Sequence, residues 1–380
     1  MAPLSIAPIV LLLSSASALS QKLYGINYDL RQGPDWDPNK CKDADTIASD
    51  LKILSNLTSN VRTYSLSDCD VTGVLTAAKD LSLTVWLGVW VSEDPKVFKA
   101  EVEAFKKLVA AGHIDSNIVG MNVGSETVYR GDISATQAIE YINDFKKVMA
   151  EHDISIPVSI TDIVDTFIQY PDMLKAGDIV TINQFPYWEK IKADKAVAHF
   201  DKRIKPLLKL AGDMEVVISE TGWPTGGSSI NGSVASEENG AIYLNDFCQL
   251  AESRGWKYYY FAGFDTPYKE KQEDDPATVE SHFGLFDASG TLKAVYENIE
   301  FTKNEKSLDV SSSASTDPSG SFGDSFGTGT VSESSTSDTS SSIESSSQVD
   351  TSPSPDAENG SSQLTAASFA TILAVMYAIL

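Results

Sequence analysis

Short apolar runs alternate with longer stretches of mixed polarity between residues 23 and 265. The apolar runs are rich in β-branched and aromatic residues, which is typical of β-strands. They are LYGINY (23–28), NVRTYSL (60–66), TVWLGVW (84–90), IVGMNVGSE (118–126), PVSITDI (157–163), IVTINQFPYW (179–188), EVVISETGW (215–223) and KYYYFAGFD (257–265). Most are apolar at both odd and even positions, so the pattern predicts strands buried on both faces of a parallel sheet.

The stretches between these runs have the spacing of amphipathic helices. Ser134 is followed three residues later by Gln137, which is the pattern of a capping box at a helix start. Apolar residues from Ala138 to Met149 then recur on one helical face. A second stretch, PKVFKAEVEAFKKLVAAG (95–112), ends at a glycine that would stop the helix. Strand and helix therefore alternate along the chain.

Eight strand-helix repeats predict a sheet of parallel strands with helices outside it. Eight such units over residues 21–303 match the size of a closed (β/α)8 TIM barrel. An open, doubly wound sheet is the alternative, but no glycine-rich phosphate-binding turn follows the first strand. We predict the barrel.

Both ends of the chain differ in composition from this region. Residues 1–18 are apolar and end in small residues, which predicts a secretory signal peptide. Residues 304–358 are rich in Ser and Thr, acidic, and poor in large apolar groups, so we expect a disordered stalk. The apolar tail within 360–380 is short for a membrane helix and follows a polar spacer. It predicts a GPI-anchor propeptide that is removed on attachment at Asn359, with the mature protein in the cell wall and at the outer face of the plasma membrane.

Charge narrows the range of partners. Asp and Glu number 53 against 29 Lys and Arg. An acidic surface repels nucleic acid and anionic lipid, so we expect a neutral ligand, and membrane contact only through the lipid anchor. The four histidines are scattered, which indicates no metal site. We also expect no cofactor and a monomer.

The chain has three cysteines and two sequons within the predicted barrel. Cys248 lies on the apolar stripe of a helix, which predicts a buried thiol. Cys41 and Cys69 each follow a predicted strand and could pair, and geometry decides whether they do. Asn56 and Asn231 each begin an N-glycosylation sequon, as expected of a secreted protein.

Polar residues stand at the carboxyl ends of several predicted strands, where TIM barrels carry their active sites. These residues are Asn27, Glu126, Asp162, Glu220 and Asp265. Aromatic residues are frequent in the same places, and flat apolar rings beside carboxylates suit a sugar. Glu126 and Glu220 end the fourth and seventh strands, so their side chains can reach one bond across the barrel mouth. Two carboxyl groups of this kind hydrolyse a glycosidic bond.

The segments VGMNVGSETVYR and VVISETGWPT resemble the two active-site segments of glycoside hydrolase family 17, the β-1,3-glucanases. The resemblance covers most of residues 22–301, and it is strongest to fungal GPI-anchored enzymes with a Ser-rich stalk. It implies that Glu126 is the acid/base and that Glu220 is the nucleophile. Ser125 stands where many members of the wider clan have Asn, so the contact to the sugar 2-hydroxyl is expected from elsewhere.

The resemblance and the strand-end pattern together give a set of residues expected to bind or surround substrate. We expect stacking or hydroxyl contacts from Tyr28, Tyr187 and Trp223. Arg62 and Asp265 are candidates to orient the carboxylates, although Arg62 could equally belong to a buried ion pair. Lys269 and Glu280 match charged residues of plant relatives and could tune the catalytic pair or form a structural ion pair. Tyr64 and Ser125 complete the set.

We therefore expect a retaining endo-β-1,3-glucanase that cleaves cell-wall β-glucan by double displacement. A β-1,3-glucanosyltransferase would use the same two carboxyl groups, with a second glucan in place of water. A β-1,4-active hydrolase of the same clan is a further alternative, because fold and catalytic pair do not exclude it. A non-catalytic wall-binding protein is the alternative from another class, and the presence of both Glu126 and Glu220 argues against it.

Overall fold

The structure of the protein, a computed structural model, describes residues 19, 21–297, 299 and 301. The segments assigned to the signal peptide, the stalk and the anchor propeptide, and Asn359, lie outside these residues. In the part of the chain that is described, no helix combines the length and apolarity needed to cross a membrane.

Eight parallel strands close into a barrel, which confirms the predicted TIM fold. The strands are β1 (Gly25–Asn27), β2 (Asn60–Arg62), β3 (Thr84–Val89), β4 (Ile118–Ser125), β5 (Val158–Ile163), β6 (Val180–Asn183), β7 (Val216–Thr221) and β8 (Lys257–Tyr260). Each strand pairs with its neighbour in sequence, and β1 closes the barrel on β8 through the pairs Gly25–Tyr259 and Ile26–Tyr260.

Helices connect the strands and cover the outside of the barrel. They are α1 (Ala44–Leu54), α2 (Thr72–Asp80), α3 (Pro95–Ala110), α4 (Ala135–Glu151), α5 (Val164–Gln169), α6 (Asp172–Ala176), α7 (Ala193–Ala211), α8 (Glu237–Arg254) and α9 (Tyr268–Gln272). Short 3-10 turns follow at Val279–His282 and Ala294–Tyr296. The predicted capping box at the start of α4 is confirmed, with Ser134 and Gln137 bonded in both directions.

Large side chains fill the end of the barrel interior at which the strands begin. Trp86, Val217 and Tyr259 come from β3, β7 and β8 and form one buried cluster. Glycines make room for these rings, because a Cβ on Gly120 would lie 2.1 Å from the Trp86 ring and one on Gly25 would lie 2.5 Å from that of Tyr259. With this end packed, the polar side chains of the barrel gather at the opposite, carboxyl-terminal end.

The cysteines divide into a pair and a single thiol. Cys41 and Cys69 form a disulfide with their Cα atoms 5.6 Å apart, which joins the segment after β1 to the segment after β2. Cys248 is buried in α8, as its helical stripe predicts. Burial raises the pKa of its thiol to about 12.

Candidate active site

Two buried glutamates lie at the carboxyl-terminal end of the barrel. Glu126 directly follows β4, and Glu220 is the penultimate residue of β7; they are 3% and 2% exposed. Glu126 has a positive φ of 58°, which is rare for a residue other than glycine and costs about 1–3 kcal/mol. Its amide donates to the carbonyl of Thr161 on β5 at 2.9 Å. This hydrogen bond to the neighbouring strand holds the strained residue in place.

Arg62 holds the carboxylate of Glu220. The Nη1 atom of Arg62 donates to Oε1 of Glu220 at 2.7 Å and to Oδ1 of Asn27 at 2.9 Å. Arg62 is fully buried, so its positive charge compensates a negative charge that would be costly alone in the barrel interior. The Ser125 hydroxyl lies 3.5 Å from the same oxygen of Glu220. Arg62 is therefore a buried ion-pair member and orients Glu220.

Glu126 has a different environment. Its Oε1 accepts a hydrogen bond from Nδ2 of Asn183 at 2.9 Å, and its Oε2 is buried with no hydrogen-bond partner among the described residues. Burial, and then the negative charge of Glu220, raise the pKa of Glu126 to about 7. One glutamate is therefore paired with a cation, while the other can keep a proton near neutral pH.

Asn183, at the end of β6, contacts Glu126 directly and is linked to Glu220 through Ser125. Its Nδ2 also lies 3.3 Å from the Ser125 hydroxyl, and its Oδ1 accepts a hydrogen bond from Ser219 at 2.7 Å. Residue 183 pairs in register with Glu220 across β6 and β7. The sequence interpretation did not single out Asn183. One sequence feature could have identified it: Asn183 and Gln184 are polar residues at the end of an apolar run, directly before the aromatic segment FPYW (185–188).

A cavity of about 490 Å³ opens between the loops that follow β1, β2, β3 and β8. Tyr64, Lys269 and Glu280 line it, as expected of residues near a substrate, whereas neither catalytic candidate does. Tyr64 connects the two regions, because its ring lies 4.9 Å from the guanidinium of Arg62. The Tyr64 hydroxyl is buried and has no hydrogen-bond partner within the described part of the chain.

The charges of Lys269 and Glu280 lie inside this cavity wall. Both side chains are buried, at 4% and 2% exposure. Burial raises the pKa of Glu280 to about 8, against the opposing effect of Lys269, and lowers the pKa of Lys269. Neither carboxylate oxygen of Glu280 has a hydrogen-bond partner among the described residues. Both groups fit a role around the substrate and are not an exposed surface pair.

Three aromatic side chains expected to stack on sugar are engaged by the protein instead. Tyr28 donates to Asp50 at 2.8 Å and lies under the ammonium of Lys42. Tyr187 and Trp223 pack edge to face with ring centroids 5.2 Å apart, and both are fully buried. None of the three lines the cavity. The structure therefore assigns these rings to the core above the barrel, not to an open sugar-binding surface.

Asp265 does not orient the catalytic pair. It pairs with Lys293 at 2.7 Å and accepts from the amide of Gly284 at 2.9 Å. Strand β8 ends at Tyr260, so Asp265 lies five residues beyond it and faces the segment that follows α9. Burial raises the pKa of Asp265, against the opposing charge of Lys293. Its role is to hold loops together.

The two sequons expose their asparagines and bury their hydroxyls. Asn56 and Asn231 are exposed. Thr58, the third residue of the first sequon, is fully buried and donates to the carbonyl of Tyr24 at 2.8 Å. Ser233, in the second, is fully buried and donates to the carbonyl of Tyr187 at 2.8 Å. Both asparagines can carry a glycan on the surface.

Among the described residues there is no group of three or more His, Cys, Asp or Glu side chains arranged to hold a metal ion.

Comparison with known proteins finds a family model and curated relatives that match most of the chain. Residues 25–284 match the model of the BtgE/BtgC glycoside hydrolase domain. A glucan 1,3-beta-glucosidase from Candida albicans is 32% identical over 276 residues, which cover 68% of this chain and 88% of the relative. The Aspergillus niger protein btgC, provisionally assigned as a glucan endo-1,3-beta-glucosidase, is 29% identical over 65% of this chain and 39% of its own length.

Two solved structures are similar to this chain in both fold and sequence. The glycoside hydrolase family 17 beta-1,3-glucanosyltransferase of Rhizomucor miehei has a TM-score of 0.64 and 33% identity, over 73% of this chain and 98% of that one. An active-site mutant of the same Rhizomucor enzyme, in complex with laminaritriose, has a TM-score of 0.64 and 32% identity, over 72% of this chain and 96% of that one.

Proposed function

Because the chain belongs to the BtgE/BtgC family of glycoside hydrolases, we propose that it is a retaining endo-β-1,3-glucanase acting on cell-wall β-glucan. The observation that carries the proposal is the contrast between two buried glutamates. Glu220 is paired with Arg62, and Glu126 has a pKa raised to about 7. A nucleophile must be charged and a general acid must hold a proton, and these environments supply the two states.

The reaction begins with attack by Glu220 on the anomeric carbon of a glucosyl unit. The bond to the leaving oxygen breaks as Glu126 gives that oxygen its proton, and a glucosyl ester of Glu220 remains. Arg62 and Ser125 keep the attacking carboxylate in one orientation. Asn183 does the same for the acid.

Water completes the cycle. Glu126, now ionised, takes a proton from a water molecule, which attacks the anomeric carbon and releases Glu220. Two successive displacements at one carbon leave the β-configuration unchanged. Internal cleavage, as opposed to release from chain ends, is supported by the likeness to the Aspergillus relative.

Transglycosylation is the second candidate function, and the likeness to the Rhizomucor glucanosyltransferase favours it. In that reaction the hydroxyl of another glucan, instead of water, attacks the glucosyl ester. The catalytic residues and the first step are unchanged, so the two functions differ in which acceptor reaches the intermediate first.

A time course on a linear β-1,3-gluco-oligosaccharide of six units tests both. Early internal fragments with β-anomers are expected for endo-hydrolysis, and chains longer than six units are expected for transfer. Cleavage of β-1,4-glucan with no action on β-1,3-glucan would contradict the proposal. Inaction on both, with binding to β-1,3-glucan retained, would support the wall-binding alternative.

Azide rescue assigns the two glutamates separately. In Glu220→Ala, azide can occupy the place of the nucleophile and attack an activated glucoside once, which gives an α-glucosyl azide. In Glu126→Ala, the ester still forms on Glu220, and azide then gives a β-glucosyl azide. The opposite pairing of variants and products would reverse the assigned roles, and wild type gives the background rate.

We also propose secretion and a GPI anchor, supported by the composition of residues 1–18, 304–358 and 360–380. Release from intact cells by a phosphatidylinositol-specific phospholipase C is the expected result. A chain truncated after Asn359 should be released into the medium without phospholipase treatment. Full retention of that truncated chain at the cell surface would contradict the anchor.

A further inference from the structure

The segment 31–41, which we call the β1 hairpin loop, extends from the end of β1 at the mouth of the barrel. An antiparallel bridge joins Arg31 to Cys41 at its base. The amide of Gln32 donates to the carbonyl of Lys40 at 2.6 Å. The loop is therefore an ordered hairpin with its own hydrogen bonds.

Trp36 lies at the tip of the hairpin and is 67% exposed. Among the large apolar side chains exposed in the described part of the chain, it has the highest exposure; the next is Val234 at 51%. Bonds on both sides fix its backbone, because the Asp37 amide donates to the Pro34 carbonyl at 2.9 Å and the Lys40 amide donates to the Asp37 carbonyl at 3.1 Å. Ordering this loop costs chain entropy, yet its largest apolar ring stays in water.

The hairpin is continuous with the cavity. Arg31 at its base, and Asp68 and Cys69 opposite, line the cavity wall. Arg31 is bonded to Asp68 at 2.6 Å and to Asp35 at 2.8 Å, and Asp35 is the residue before Trp36. Ion pairs therefore connect the cavity wall to the residue that precedes Trp36.

The charge around the ring selects its occupant. Asp35 and Asp37 flank Trp36, and their charges balance those of Arg31 and Lys40 within segment 31–41, so this segment has no net positive charge to attract an anionic membrane or a polyphosphate. A neutral pyranose has an apolar CH face that can lie on an indole, while its hydroxyls meet the flanking carboxylates. A single exposed apolar residue is ordinary on a protein surface, but this one is held in a hydrogen-bonded hairpin whose base lines the cavity.

We propose that Trp36 is a sugar-binding platform outside the cavity, which holds the β-1,3-glucan chain as it leaves the cavity over the Arg31–Asp68 pair. This inference rests on the proposed function and extends it, because it assigns a binding site beyond the catalytic groups. A polymer reaches this platform, whereas a short oligosaccharide bound at the catalytic pair does not extend so far.

The test compares Trp36→Ala, Trp36→Phe and a control, Leu210→Ala. Leu210 is 45% exposed near the end of α7, at the opposite end of the barrel, so it controls for loss of an exposed apolar side chain. Each variant is assayed on laminaritriose and on long β-1,3-glucan, and its pull-down on insoluble β-1,3-glucan is measured. Thermal unfolding confirms that each is folded.

We expect Trp36→Ala to lose about 3–10-fold more kcat/KM on the polymer than on laminaritriose, as removal of one aromatic contact does. Trp36→Phe should restore most of the loss, and Leu210→Ala should match wild type. Equal losses on both substrates, or none on the polymer, would overturn the platform.

Two further outcomes separate this inference from others. If wild type cleaves no β-1,3-glucan, the proposed enzymatic function fails, but weaker pull-down of Trp36→Ala would still support the platform. If wild type binds vesicles of phosphatidylcholine and phosphatidylserine and Trp36→Ala does not, the residue is a membrane contact and the sugar platform is wrong.

Discussion

Asn183 fixes the carboxyl group of Glu126 by one hydrogen bond, and that bond also favours its ionised form. We expect Asn183→Ala to raise the pKa of Glu126 and to move the alkaline limb of the kcat/KM profile to higher pH. The maximal rate should fall about tenfold, because the acid is no longer oriented.

Ser219→Ala is the matched control for Asn183→Ala. The Ser219 hydroxyl donates to Oδ1 of Asn183, and in the described part of the chain it forms no hydrogen bond with either glutamate. Ser219→Ala should move the alkaline limb of the kcat/KM profile in the same direction as Asn183→Ala, but by less. An alkaline limb that moves to lower pH in Asn183→Ala would contradict the role of this hydrogen bond.

Asp162 raises the pKa of Glu126, whereas the hydrogen bond from Asn183 lowers it. It is fully buried at the end of β5 and accepts from the amides of Val128 and Tyr129, in the turn that follows Glu126. Burial raises the pKa of Asp162 to about 6, and its negative charge raises that of Glu126. We therefore expect Asp162→Asn to move the alkaline limb to lower pH, as measured by the pH profile of kcat/KM. A shift to higher pH would show that charge is not its contribution.

Sequence identified the residues whose chemistry is unusual for their position and missed those whose role depends on geometry. A glutamate at the end of an apolar strand is costly without a purpose, so Glu126 and Glu220 stood out. An asparagine at the end of β6 is ordinary. Only the closed barrel places Asn183 beside Glu220 on β7 and within hydrogen-bond distance of Glu126 after β4. Tyr187 and Trp223 are both fully buried and pack on each other, which their sequence could not indicate, because an aromatic ring near a strand end is equally suited to sugar and to core.

At the scale of elements, all eight strands were predicted, but several end earlier than their apolar runs. The run at 179–188 contains β6 only at Val180–Asn183. Beyond it, Phe185 and Trp188 pack against Phe283, in a layer of aromatic rings above the barrel. Apolar character signals burial, and it does not say whether a residue is buried in the sheet or in the loops that cover it.

The disulfide is expected to stabilise the mouth of the barrel. It joins two cysteines with a sequence separation of 28, and the chain-entropy model gives about 3–4 kcal/mol for a loop of that length. We expect Cys41→Ser/Cys69→Ser to lower the free energy of unfolding in urea by about this amount. Cys248→Ser is the control for loss of a thiol. Unchanged stability in the double variant would show that the other contacts of the segment suffice.

At the scale of the whole molecule, buried carboxyl groups make stability depend on pH. Burial raises the pKa of Asp162 to about 6, of Glu126 to about 7 and of Glu280 to about 8. The folded state therefore holds these protons more tightly than the unfolded chain does. Their contribution is complete below the ordinary pKa of about 4. It falls progressively as pH rises above 4, and it is lost once pH passes the folded pKa values of about 6, 7 and 8.

We expect the melting temperature to be several degrees higher at pH 5 than at pH 8. Glu126→Gln cannot titrate at this site, so it should melt at a higher temperature than wild type at pH 8 and reduce the difference between the two pH values. A melting temperature that rises from pH 5 to pH 8 in wild type would contradict the burial of these protons.

Because β1 pairs with β8, the barrel cannot close until nearly all of its residues have been synthesised. Ile26 of β1 pairs with Tyr260 of β8, so 234 residues must follow Ile26 before its partner on β8 has been synthesised. At about 5–20 residues per second, a ribosome needs roughly 10–50 s to supply them. During that interval the β1 edge that will face β8 is unpaired, and an unpaired edge can join another nascent chain. The last strand to be synthesised thus protects the first from aggregation.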